Sequence, residues 1–171
     1  VTGRVTIRPA ESAADQDTVR TLCWEYRDHL IDFDPALRPM METFYPEDGY
    51  RQLMHGLAEK HARPRGIILL AELEGVPVGC GMTHRLNAED AEIKRVFVRA
   101  EARGTGAGQA LSQALLDQAR ADGYARVLLD TAAAFKGAQR LYERLGFQSR
   151  GPYAELPEGT ENKLVFYEYQ L

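Results

Sequence analysis

The chain has 171 residues, the size of one ordinary domain, and its 44% hydrophobic and 27% charged residues suit one sizeable core and exclude intrinsic disorder. A formal net charge of -4 with no basic stripe gives no attraction for a polyanion, so nucleic acid is not an expected partner. No apolar run approaches the roughly 20 residues of a membrane helix, the first residues lack the h-region of a secretory signal, and Cys23 and Cys80 form no Cys-x-x-Cys pattern, so a cytoplasmic protein with reduced thiols and no membrane contact is expected.

In chain order, Val5–Pro9 alternates apolar and polar and stops at proline, which predicts a first strand. Ser12 and Asp15 carry helix-start chemistry, and Val19, Leu22, Cys23, Tyr26 and Leu30 recur at helical spacing, so a helix is expected from Asp15 to about Leu30. The three prolines of residues 31–46 predict an irregular stretch, and Tyr50, Leu53, Met54, Leu57 and Ala58 a second helix ending before Pro64. Residues 66–73, 76–86 and 91–98 read as three strands joined by tight turns. A glycine-rich loop then opens a helix through Ala110, Leu111, Ala114, Leu115 and Ala119 that closes near Gly123. A strand over 127–130, a helix over 139–145 capped by Gly146, and strands over 147–153 and 163–169 complete the chain. Hairpins mixed with one strand–helix–strand crossover imply a single α/β domain over residues 1–171 with a mixed, mostly antiparallel sheet of six to seven strands and about four helices.

The chemistry concentrates in Val96-Phe97-Val98-Arg99-Ala100-Glu101-Ala102-Arg103-Gly104-Thr105-Gly106-Ala107-Gly108. Glycine at every second position lets a ligand approach the main chain, and free N–H groups at a helix start make an anion site. No Gly-Lys-Ser/Thr follows, which removes a P-loop. The glycines stand about five residues beyond the strand and hairpins precede them, which argues against a dinucleotide fingerprint. A tight turn without a ligand stays open on these residues alone. His29, His55, His61 and His84 form no metal-spaced set, so no metal is expected.

Arg103, Gly106 and Gly108 match the Gln/Arg-x-x-Gly-x-Gly/Ala hallmark of the GNAT acetyltransferase family, and Leu141, Tyr142, Gly146 and Phe147 match its downstream Leu-Tyr-x-x-x-Gly-Phe element. The order of elements resembles that family over nearly the whole chain. The resemblance implies an acetyl-CoA-dependent N-acetyltransferase whose strands near Ala91–Val98 and Val127 run parallel and splay around the cofactor. The backbone of Val96, Phe97 and Val98 would pair with the pantetheine arm, and Arg103, Gly104, Thr105, Gly106, Ala107 and Gly108 would hold the pyrophosphate. Many relatives carry Asn where this chain has Phe135, and Lys136 is a candidate for a phosphate contact instead.

Tyr142 matches the tyrosine placed near the coenzyme sulfur and is the candidate acid. Glu92 is the candidate base, with Glu89, Asp90 and Tyr169 as alternatives; burial would raise a glutamate into a useful range. His84 is near this strand, and Cys80 lacks the His–acid order of a nucleophile. Asp32, Asp34, Glu42, Glu47 and Asp48 are either an attraction for a cationic acceptor or a solvated loop, and Tyr153 with the loop over 156–160 forms another wall. The expected acceptor is a small-molecule primary amine. A protein lysine or N-terminus, and a CoA-binding module without turnover, are the alternatives, and a homodimer is left open.

Overall fold

The computed structural model describes residues 3–171. Seven strands form one sheet: β1 Val5–Pro9, β2 Ile67–Leu73, β3 Val76–Arg85, β4 Asp90–Val98, β5 Arg126–Ala132, β6 Gln148–Arg150 and β7 Leu164–Gln170. Their spatial order is β1-β2-β3-β4-β5-β7-β6, and among the described residues only the β4–β5 pair is parallel. Among the described residues six helices flank the sheet: α1 Ala13–Asp32, α2 Arg38–Phe44, α3 Glu47–His55, α4 Leu57–Lys60, α5 Ala107–Ala121 and α6 Lys136–Leu145.

The start of α1 follows from its first residues. The Ser12 hydroxyl accepts from the Asp15 amide at 3.0 Å and the Asp15 carboxylate accepts from the Ser12 amide at 3.3 Å, a reciprocal cap. Arg8 donates to the same carboxylate at 2.8 and 2.9 Å, which ties β1 to α1.

Two corrections concern the helices. Residues 31–46 are largely ordered: a 3-10 turn over Pro35–Leu37 leads into α2. Proline stands in the first turn of each, where its missing N–H has no helical partner to lose. The second predicted helix breaks at Gly56 into α3 and α4. The strand expected over 147–153 is shorter, since pairing with β7 ends at Arg150, just before Gly151-Pro152.

The two faces of the sheet bury separate cores. Ile67, Leu69, Ile93, Val127 and Leu129 pack against Leu111, Leu115 and Leu116 of α5. Ile68, Leu70, Met82 and Phe97 pack against Val19, Leu22 and Cys23 of α1 with Tyr50 and Met54 of α3. Cys23 and Cys80 share this second core as free, buried thiols. Among the described residues no helix is long and apolar enough to cross a membrane, and no group of three or more His, Cys, Asp or Glu is placed to hold a metal.

The feature that positions the site is the end of the parallel pair. β4 and β5 are in register only at Asp90, Ala91 and Glu92, opposite Arg126, Val127 and Leu128. Beyond that point the strands separate, and β4 runs on to Val98 with its β5 side unpaired. A bulge interrupts the β3–β4 ladder here: Met82 pairs with Lys94 but Cys80 with Phe97, and Arg95 takes a positive φ of 51°.

Candidate active site

A cleft of about 780 Å³ opens between the splayed strands. Val96, Phe97 and Val98 of β4 form one side, Arg103, Gly104, Gly106, Ala107 and Gly108 the end, and Lys136 of α6 part of the other. Gly104 and Gly106 hold φ values of 81° and 85°, and a Cβ at either would meet no protein atom within 4 Å. The constraint at these positions is therefore backbone conformation and the space beside the chain, not packing. Gly106 caps α5 without any side-chain acceptor, so the first N–H groups of a 15-residue helix stay open to the cleft.

Thr105 is the exception among the predicted loop residues. Its hydroxyl donates back to the Ala102 carbonyl at 2.5 Å, and the residue does not line the cleft. Three cations do: Arg103, Lys136 and Arg144. The free N–H groups and these cations suit a pyrophosphate. Phe135 lines the cleft, and Phe33 packs on its ring edge-to-face at 4.6 Å between centroids.

A second, smaller cavity of about 240 Å³ lies on the α1–α2 side, lined by Tyr26, Met40, Met41, Tyr45, Lys94, Asp130, Leu156 and Phe166 among others. A neck of about 110 Å³, bounded by Val96, Phe135, Ala138 and Tyr142, is shared between the two. Tyr142 is buried, and burial raises its phenol well above the ordinary value, so it is a neutral proton donor at pH 7. Its ring is fixed edge-on to Phe147 at 5.5 Å.

Glu92 lines none of these three spaces. Its carboxylate accepts from His84 Nε2 at 2.7 Å and Tyr153 Oη at 2.6 Å, with Lys94 Nζ at 3.5 Å. Burial pushes this carboxyl up, but the His84 hydrogen bond, the Lys94 charge and the Tyr153 hydroxyl outweigh it and hold the group at about 2. That is the reverse of the burial-raised base expected from sequence. Asp90 is bound by Arg126 at 2.8 and 2.9 Å at the foot of the splay. Glu89 is exposed there, and Tyr169 packs on Phe147 in the opposite core.

The residue sequence reasoning missed is Asp130. It sits on β5 one residue past the apolar run Val127-Leu128-Leu129 and lines both the neck and the small cavity. Burial raises its carboxyl above the usual range, against the pull of Lys94 and with the push of Glu92. The available signal was an acid in alternation with Leu128 on a buried strand parallel to β4. The acids of residues 32–48 are solvated: Asp32 and Glu42 pair with Arg38, and Glu47 and Asp48 with Arg51, all on exposed side chains.

The splayed parallel pair, the glycines at a helix start and the buried Tyr142 beside the neck make a cleft suited to an extended anionic ligand. The sequence profile of the Acetyltransferase (GNAT) family matches residues 22–147, and the chain belongs to that family. It is 36% identical over 148 residues to an IAA acetyltransferase of Azospirillum brasilense, covering 85% of this chain and 92% of that one. An acetyltransferase structure from Streptococcus agalactiae superposes with a TM-score of 0.76 at 17% identity, covering 98% of each chain. A Salmonella typhimurium structure solved with acetyl-CoA superposes with a TM-score of 0.64 at 21% identity, covering 97% of this chain and 93% of that one.

Proposed function

We propose that this chain moves an acetyl group from acetyl-CoA directly to the primary amine of a small molecule. The observation that carries this reading is the neck at Tyr142, where a large cleft with an anion cradle meets a small, separate cavity. When bound, the thioester supplies an activated acetyl group at that neck. Arg103, Lys136 and the N–H groups of Ala107 and Gly108 would hold its phosphates, and the unpaired edge of β4 would take the pantetheine arm like an added strand.

The β4 edge beyond the bulge presents backbone N–H groups near the neck, where they can stabilise charge growing on the acetyl oxygen. Tyr142 supplies a proton to the leaving sulfur. Glu92 then has a positioning part: it fixes Tyr153 and Lys94 along the acceptor side. Ala154, Glu155, Leu156 and Pro157 form part of the small cavity's wall, which suits a small acceptor better than a peptide needing an open groove. A reducing, cytoplasmic setting suits the two free thiols buried in one core.

Acetyl-CoA should raise the melting temperature by mass action, more than NAD or ATP does. Free-thiol release across an amine library then tests transfer. A larger shift with NAD, or thiol release that no amine accelerates, overturns the proposal.

A further inference from the structure

The small cavity has a chemistry of its own. Its wall is mainly apolar, with Met40, Met41, Phe44, Leu156, Leu164 and Phe166 around it. Its charged members are Asp130, Lys94 and Glu155. Glu155 is exposed, whereas Asp130 is partly covered on a central strand. Lys94 is matched by the Glu92 carboxylate at 3.5 Å. Among the described residues Asp130 is the carboxylate facing the neck with no cation within salt-bridge distance: the Tyr153 hydroxyl lies 3.5 Å from it, and that hydroxyl already donates to Glu92 at 2.6 Å. An anion held this way between apolar walls calls for one cation, brought by a ligand with an apolar body.

We propose, resting on the transferase reading above, that Asp130 binds and deprotonates the acceptor ammonium, and that this cavity selects a compact monoamine with an aliphatic or aromatic body. A linear polyamine would need a second buried anion, and the remaining carboxylate on the wall is exposed. A zwitterionic amino acid would need a free cation on the small cavity's own wall, where Lys94 is taken; Arg95 lies in the neck, with its guanidinium against His61 at 3.3 Å. Asp130 removes one proton from the ammonium. The neutral nitrogen forms its bond to the acetyl carbon as the carbon–sulfur bond breaks. The sulfur leaves with the electron pair and takes the Tyr142 proton. The second amine proton returns to Tyr142, and Asp130 passes its proton to solvent.

The groups around Asp130 are Glu92, Lys94 and Arg95 of β4, Tyr153 and Glu155 after β6, Tyr26 of α1, Tyr45 after α2 and Tyr142 of α6. Burial raises its carboxyl, which makes it a better base than Glu92 near neutral pH.

The test is thiol release from acetyl-CoA by the full chain with five acceptors: 2-phenylethylamine, 3-methylbutylamine, a linear triamine, L-phenylalanine and a lysine-containing peptide. The two apolar monoamines should exceed the others in kcat/KM by roughly tenfold or more, the worth of one buried apolar group. Asp130→Asn should lower kcat by about a hundredfold or more and remove the acid limb of the pH profile, while keeping the acetyl-CoA thermal shift that reports a folded cleft. Asp130→Glu should recover part of kcat. Preference for the triamine, amino acid or peptide overturns the substrate class while transfer itself stands. Unchanged kcat in Asp130→Asn overturns the base. Thiol release with none of the five, while acetyl-CoA still stabilises the protein, overturns this inference; if no amine of the wider library accelerates it either, the transferase reading falls as well.

Discussion

The two cavities on either side of the neck beside Tyr142 are made of different material. The larger is built from main chain: an unpaired strand edge, two glycines at positive φ and an uncapped helix start. The smaller is built from side-chain tips carried by α1, α2, β4, β5, β7 and the loop after β6. A main-chain site works only where the backbone can be approached, so it constrains residue type at fixed offsets. A side-chain site constrains only what meets in space, and the same fold can refit it to another acceptor by changing a few tips.

Substitutions can break that contrast or sharpen it. Tyr142→Phe should show the largest effect: about ten- to a thousandfold lower turnover with cofactor affinity little changed, because only the hydroxyl is lost. Stopped assays alongside acetyl-CoA titration check it, and unaltered turnover would reduce Tyr142 to a core residue. Gly106→Val acts on main chain instead. A β-branched residue at φ 85° is strained by about 1–3 kcal/mol and fills the cradle, so acetyl-CoA binding should weaken roughly ten- to a hundredfold. Calorimetric titration measures this; equal affinity would mean that the cradle is elsewhere.

Glu92→Gln should cost less than tenfold in turnover but a good deal of stability. The carboxyl is held at about 2 in the fold against 4.5 ordinarily, on the order of 3 kcal/mol. A carboxylate held low stabilises above its ordinary value and loses that contribution as pH falls from 4.5 through 2. Urea midpoints of the two proteins should therefore differ at pH 6 and converge toward pH 3. Removing this negative charge also lowers the Asp130 carboxyl, so the acid limb of kcat/KM should move to lower pH, which loss of packing alone does not do. Phe135→Asn should have the smallest effect, a few-fold tighter cofactor and a few-fold weaker preference for apolar amines, read from KM values for both substrates.

The same contrast decides what the sequence revealed. The strands from β1 to β4, the crossover through α5 and the glycine loop were all legible, because period and glycine offsets are local properties. The ordered helix α2 was hidden because Pro35 and Pro39 read as breakers when they act as starts. Thr105 was read as part of a loop that holds a pyrophosphate through its N–H groups, whereas its amide and its hydroxyl both turn back to the Ala102 carbonyl within its own turn. Glu92 was legible as a residue but not as a charge: its partners His84, Lys94 and Tyr153 come from three separate segments, and no spacing announces Tyr153, 61 residues away. Asp130 was invisible as chemistry for the same reason.

Phe135 belongs to both cavities and to the neck between them. A ring with a face in each site cannot shift for one ligand without being felt by the other. Linkage makes that influence mutual: whatever factor acetyl-CoA applies to the amine's affinity through this ring, the amine applies to acetyl-CoA's. The two substrates are thermodynamic neighbours as well as reaction partners, and one aromatic side chain sets how loudly each hears the other.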